Sequence, residues 1–100
     1  MYAQIPKYPP VERDVALVVD VHMTSGEILE LLRGYGSPLI ESIELFDYYK
    51  GKNMAADKKS LGFRIVYRSK DRTLTDNEVE SIHGTLVEYI LNKTAGELRG

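Results

Sequence analysis

Apolar and polar residues alternate along two stretches of the chain and recur every three to four residues along two others. Asp14 to Asp20, DVALVVD, is short and β-branched. It reads as a strand with Val15, Leu17 and Val19 on one face and Asp14, Ala16, Val18 and Asp20 on the other. Thr24 and Glu27 then form a T-x-x-E capping box, and Ile28, Leu31, Leu32 and Tyr35 recur at helical spacing behind it. Gly34 or Gly36 supplies the stop, and Pro38 forbids continuation.

The spacing predicts a second strand over residues 39–50, a polar loop over 51–58 with Gly51 and Asn53 as turn formers, and a third strand over 59–68. In KSLGFRIVYR, Leu61, Phe63, Ile65 and Tyr67 share one face, while Ser60, Gly62, Arg64 and Val66 share the other. Such alternation belongs to an antiparallel sheet with one covered and one open side. A second capping box, Thr75 to Glu78, opens a helix whose apolar stripe is Val79, Ile82, Leu86, Tyr89 and Ile90. Thr94-Ala95-Gly96 ends it, and residues 97–99 make a short last strand. The order β-α-β-β-α-β is the α+β, ferredoxin-like split βαβ sandwich, with both helices on one face of the sheet. Upstream, Pro6, Pro9 and Pro10 exclude helix and central strand, so residues 1–13 are expected to form an extended arm or linker remnant.

Composition narrows the chemistry. The 100 residues suit one domain, and the lack of cysteine excludes disulfides, thiolate metal sites and a cysteine nucleophile. No apolar run approaches the roughly 18 residues of a membrane span, so a soluble, cytoplasmic chain with no membrane partner is expected. Net charge is −2, but it is segregated. Residues 50–72 hold eight basic and two acidic side chains, a local +6, against −8 elsewhere. That asymmetry fits a face meeting an anion, or a lysine-rich hairpin tip kept soluble. His22 and His83 have no partner at metal-ligand spacing, and no phosphate loop or nucleophile motif occurs. A binding module is therefore expected in place of an active site.

The open sheet face is the informative surface. If Phe46 and Tyr48 point to the helices, then Asp47 and Tyr49 point outward beside Ala16, Ser60 and Gly62, with Arg64 near by. A projecting ring beside small side chains can stack a nucleobase, Asp47 and Ser60 can read its edge, and Arg64 with the hairpin lysines can meet phosphates. Ile43 and Leu45 share the parity of Asp47 and Tyr49, which requires either a bulge in this strand or local cover.

Four segments, KYPPVERDVALVVD, SIELFDYYKGK, KKSLGFRIVYRSKDRTLTDNEV and GELRG, together resemble the ferredoxin-fold anticodon-binding domain that closes the β subunit of bacterial phenylalanyl-tRNA synthetase. The resemblance covers nearly the whole chain and assigns residues 14–100 to that domain. It implies binding of the anticodon of phenylalanine tRNA, with the first anticodon base stacked on Tyr49. By motif, Asp47, Ala16 and Ser60 carry over to the same site. It also implies partnership with the rest of the β subunit and with the α subunit, in an enzyme whose ATP, magnesium and phenylalanine sites lie outside this domain. Tyr48 stands where the family often has an aliphatic residue. The chain starts at Met1 where the family's polypeptide is continuous, which implies an excised domain.

Two other readings share the fold. An RNA-recognition motif needs outward aromatics two residues apart on the third strand, and parity turns Phe63 and Ile65 inward. An ACT-like ligand-sensing or dimerisation module would bind amino acids between subunits, and would need neither the basic segment nor Tyr49 beside small residues.

Overall fold

The computed structural model describes residues 8–99. The elements run β1 (Val11–Asp20), α1 (Ser25–Arg33), β2 (Ile40–Tyr49), β3 (Lys58–Tyr67), α2 (Asp76–Thr94) and β4 (Glu97–Leu98). The sheet order is β2-β3-β1-β4 and every neighbouring pair is antiparallel. This is the ferredoxin-like α+β sandwich that the element order predicts.

Both helices begin where the capping boxes place them. Thr24 Oγ1 accepts from the Glu27 backbone N–H, and the Glu27 carboxylate accepts from the Thr24 backbone N–H. Thr75 and Glu78 repeat the exchange at α2. These bonds satisfy amide donors that a helix start leaves without partners, worth about 1 kcal/mol each. Glu78 is thereby held below the usual carboxylate range, first by the Thr75 backbone bond and further by Arg72. The helices end differently. Gly34 caps α1 with a right-handed backbone, and the left-handed residue there is Gly36; α2 ends at Ala95, itself left-handed.

One face of the sheet makes the core. Val15, Leu17 and Val19 of β1 and Leu61, Phe63, Ile65 and Tyr67 of β3 bury against Ile28 and Leu32 of α1 and Val79, Leu86 and Ile90 of α2. Each such side chain contributes about 1.5–3 kcal/mol on leaving water. Tyr35 and Tyr89 meet edge to face at 5.3 Å and join the two helices. His83 of α2 packs edge to face on Tyr67, with Nδ1 2.8 Å from its hydroxyl.

β1 begins at Val11 and not at Asp14, because Val11 faces Tyr67 across the ladder and Arg13 holds Glu80 of α2 at 2.9 Å. Residues 11–13, expected in the arm, are thus part of the sheet. Residues 1–7 of that arm lie outside the described residues, as does Gly100.

Candidate nucleic-acid interface

The β2–β3 register settles which side chains reach the open face. Leu45 faces Phe63, whereas Asp47 faces Gly62, Tyr48 faces Leu61 and Tyr49 faces Ser60, with a register shift between Leu45 and Asp47. The extra residue is Phe46. The bulge lets Ile43 and Leu45 share the core side with Phe63 and Ile65 while Asp47 and Tyr49, of the same parity, turn outward.

Phe46 corrects the expected strand phase. Its ring covers Gly62 on the open side, where a β-carbon at position 62 would lie only 3.3 Å from the ring and 3.0 Å from Asp47 Cβ. The Arg64 guanidinium lies over the same ring, 4.7 Å from its centroid, and Phe46 remains 47% exposed. Phe46 therefore fills the space above Gly62 that alternation alone would leave as a slot. Tyr48 keeps the helix-side parity but is 57% exposed, because β2 is an edge strand and the core does not extend beneath that end.

Tyr49 stands on the open face as expected. Its ring lies against Gly51, occupying the space that a β-carbon there would need. From the residue after β4, which lies two strands beyond Tyr49's neighbour β3, the Arg99 guanidinium reaches over the ring at 4.3 Å from its centroid. Arg99 is placed by its backbone N–H, which donates to the Ala16 carbonyl at 2.9 Å. Sequence reading gives Gly51 only as a turn former and Arg99 only as part of a last strand. Both meet Tyr49 through pairing that no local pattern encodes.

The remaining expected site residues share this face with different accessibility. Ala16 faces Gly62 across β1 and β3 and is half-buried. Asp47 is exposed, so both carboxylate oxygens can accept from a ligand. Ser60, opposite Tyr49, is 1% exposed, so its hydroxyl is not the open donor that parity suggests. Arg64 is held by Asp14 at 3.0 Å, which raises its pKa further, first through that hydrogen bond.

The basic segment is less available than its composition implies. Arg64, Arg68 and Arg72 face Asp14, Glu41 and Glu78 in ion pairs. The Lys50 ammonium donates to the carbonyls of Ala55, Ala56 and Lys58, closing the hairpin loop upon itself. Lys59 is buried and shares the core-side parity of Leu61. Among the described residues Lys52, Lys58 and Lys70 make no ion pair.

A split βαβ sheet with its helices on one face and aromatic rings, an open carboxylate and arginines on the other defines a surface-binding module of the ferredoxin-like class. The family model described as "Ferredoxin-fold anticodon binding domain" matches residues 6–99, and the chain belongs to that family. Similar curated proteins include the phenylalanine–tRNA ligase beta subunit of Symbiobacterium thermophilum, 42% identical over 99% of this chain and 11% of that protein. The beta subunit of Clostridium tetani is 42% identical over 98% of this chain and 12% of that protein. That of Trichormus variabilis is 44% identical over 92% and 11%. The chain thus spans about a ninth of the length of these relatives. No helix among the described residues is long and apolar enough to cross a membrane.

Proposed function

We propose that this domain recognises the anticodon of phenylalanine tRNA as part of a phenylalanyl-tRNA synthetase β subunit, with the first anticodon base stacked on Tyr49 and its edge read by Asp47. The observation that carries this reading is the position of Tyr49. It is an open-face ring beside an exposed carboxylate, in a chain that matches the anticodon-binding family over residues 6–99. The ring provides sequence-tolerant stacking, and a carboxylate two residues away on the same face supplies edge discrimination. In this reading ATP, magnesium and phenylalanine bind elsewhere in the synthetase, the partners are tRNA, the remainder of the β subunit and the α subunit, and the enzyme works in the cytoplasm. The family match disfavours an ACT-like amino-acid sensor.

The test is binding of phenylalanine tRNA, and of the same tRNA with its first anticodon base replaced, by the full synthetase. Tyr49→Ala should cost ~1–3 kcal/mol of binding and Tyr49→Phe much less, since the ring face makes the stack. Asp47→Ala should reduce the preference for the correct base more than it reduces overall affinity. Unchanged discrimination in Asp47→Ala together with unchanged affinity in Tyr49→Ala would reject the reading.

A further inference from the structure

The open face carries two aromatic rings in matching settings. Tyr49 lies against Gly51 with the Arg99 guanidinium 4.3 Å from its centroid; Phe46 lies against Gly62 with the Arg64 guanidinium at 4.7 Å. In both cases a glycine lets the ring lie close to the backbone, and a planar cation covers the ring. A ring face that accepts a guanidinium suits another flat, polarisable group; Arg99 sets a positive charge beside Tyr49, while Arg64 beside Phe46 is already paired with Asp14. Phe46 has no role in the core: it is 47% exposed while Leu45 before it holds the helix-side register opposite Phe63. The bulge turns Phe46 out of the core and onto the open face.

We infer that Phe46 is a second stacking platform, which takes the nucleotide adjacent to the one on Tyr49. This rests on the proposal that Tyr49 stacks the first anticodon base. The Phe46 ring sits over Gly62, and the Tyr49 backbone pairs with Ser60 two residues along β3, so the two rings spring from positions about 7 Å apart along a strand. That is roughly twice the 3.4 Å rise of a stacked strand. Neighbouring bases can therefore reach both rings only when splayed apart, which is how single-stranded RNA is read on sheet surfaces. Asp47 lies between the two residues in sequence, and it shares the open face with Gly62 beneath Phe46. RNA-recognition motifs place their stacking aromatics on the central strands; here the same sheet places them on the β2 edge strand.

The experiment pairs side-chain deletion with base deletion in the full synthetase. Wild type, Tyr49→Ala, Phe46→Ala and Phe46→Leu are titrated with phenylalanine tRNA, and with versions carrying one abasic nucleotide at the first anticodon position or at either neighbour. Phe46→Ala should weaken the intact tRNA by at least about fivefold, the lower end for a base–aromatic stack. That loss should vanish when one neighbouring base is absent and persist when the first base is absent, whereas Tyr49→Ala should couple to the first base. Phe46→Leu retains apolar volume without a ring and should behave as Phe46→Ala, with melting curves taken for both. Coupling of Tyr49 alone would reject the second platform and leave the first standing. Coupling of Phe46 to the first base would make it part of the Tyr49 site and likewise reject the inference. If neither ring couples to any base, both readings fall.

Discussion

The phenol ring of Tyr49 fills the space that a side chain on Gly51 would occupy. The glycine is not needed for backbone conformation, since Gly36 is the glycine with positive φ among the described residues. Its function at position 51 is spatial. Gly51→Ala should therefore leave the fold intact and swing the Tyr49 ring out of place, because the obstructing atoms are the far end of a side chain that can rotate. The expected outcome is a melting temperature close to wild type with tRNA binding reduced as far as in Tyr49→Ala. Normal binding by a folded Gly51→Ala protein would show that the position of the ring against the hairpin is immaterial.

Tyr48 provides the contrast. Strand parity alone would bury it against the helices, and its removal would then be expensive. The structure keeps the parity, opposite Leu61, but leaves the ring 57% exposed. Tyr48→Ala should cost less than about 1 kcal/mol, the range of strand-propensity effects at an edge, and should leave tRNA affinity unchanged. Urea unfolding and tRNA titration of the variant check both statements. A loss of several kcal/mol would mean that another part of the synthetase covers this ring.

These two tyrosines show where the sequence is legible and where it is not. The helix starts are readable because a capping box is complete within four residues, as at Thr24–Glu27 and Thr75–Glu78. The faces of β1 and β3 are readable because both are central strands, buried on one side along most of their length. In β2 the shared parity of Ile43, Leu45, Asp47 and Tyr49 leaves a bulge and local cover both open, and nothing local says which residue would be the extra one. That is decided by pairing with β3, where the missing side chain of Gly62 admits the Phe46 ring. Arg99 is beyond local reasoning for the same reason: it reaches Tyr49 only because β4 joins the sheet beside β1. Likewise the charge of residues 50–72 is readable, but its neutralisation by Asp14, Glu41 and Glu78 depends on the fold.

That neutralisation limits the electrostatic contribution to RNA binding. Each phosphate contact with single-stranded nucleic acid adds about −0.7 to the slope of log affinity against log salt. Lys52, Lys58 and Lys70, without ion pairs among the described residues, can together account for a slope of about −2. Replacing all three by glutamine in the synthetase should make its salt dependence shallower by no more than that. Arg68→Gln and Arg72→Gln should leave the slope as it was. Salt titrations of tRNA binding measure this directly, and a change of a full unit from Arg72→Gln alone would show that its pairing with Glu78 opens on binding.

The partial burial of His83 against Tyr67 makes fold stability sensitive to pH near neutrality. Burial is the largest influence on the His83 imidazole and lowers its pKa from the ordinary value of 6.5, with Arg13 acting in the same direction and Glu80 and Asp14 opposing. Burial also raises the pKa of the Tyr67 hydroxyl, which stays protonated and shares a hydrogen bond with Nδ1 of the ring. Because the unfolded chain takes up a proton at His83 more readily than the folded one, stability rises with pH through this window. The contribution is complete above the unfolded value of 6.5 and is lost as the pH falls through the folded value. Melting temperature should accordingly fall between pH 7.5 and about 5.5, above the range where the lowered Glu78 carboxyl adds its own acid sensitivity. His83→Leu should flatten that dependence, whatever it does to stability at pH 7.5. Tyr67→Phe should lower stability but keep the slope, since burial and not the hydroxyl is the main cause of the shift. A Tyr67→Phe protein with no pH dependence in this window would instead assign the effect to the hydrogen bond.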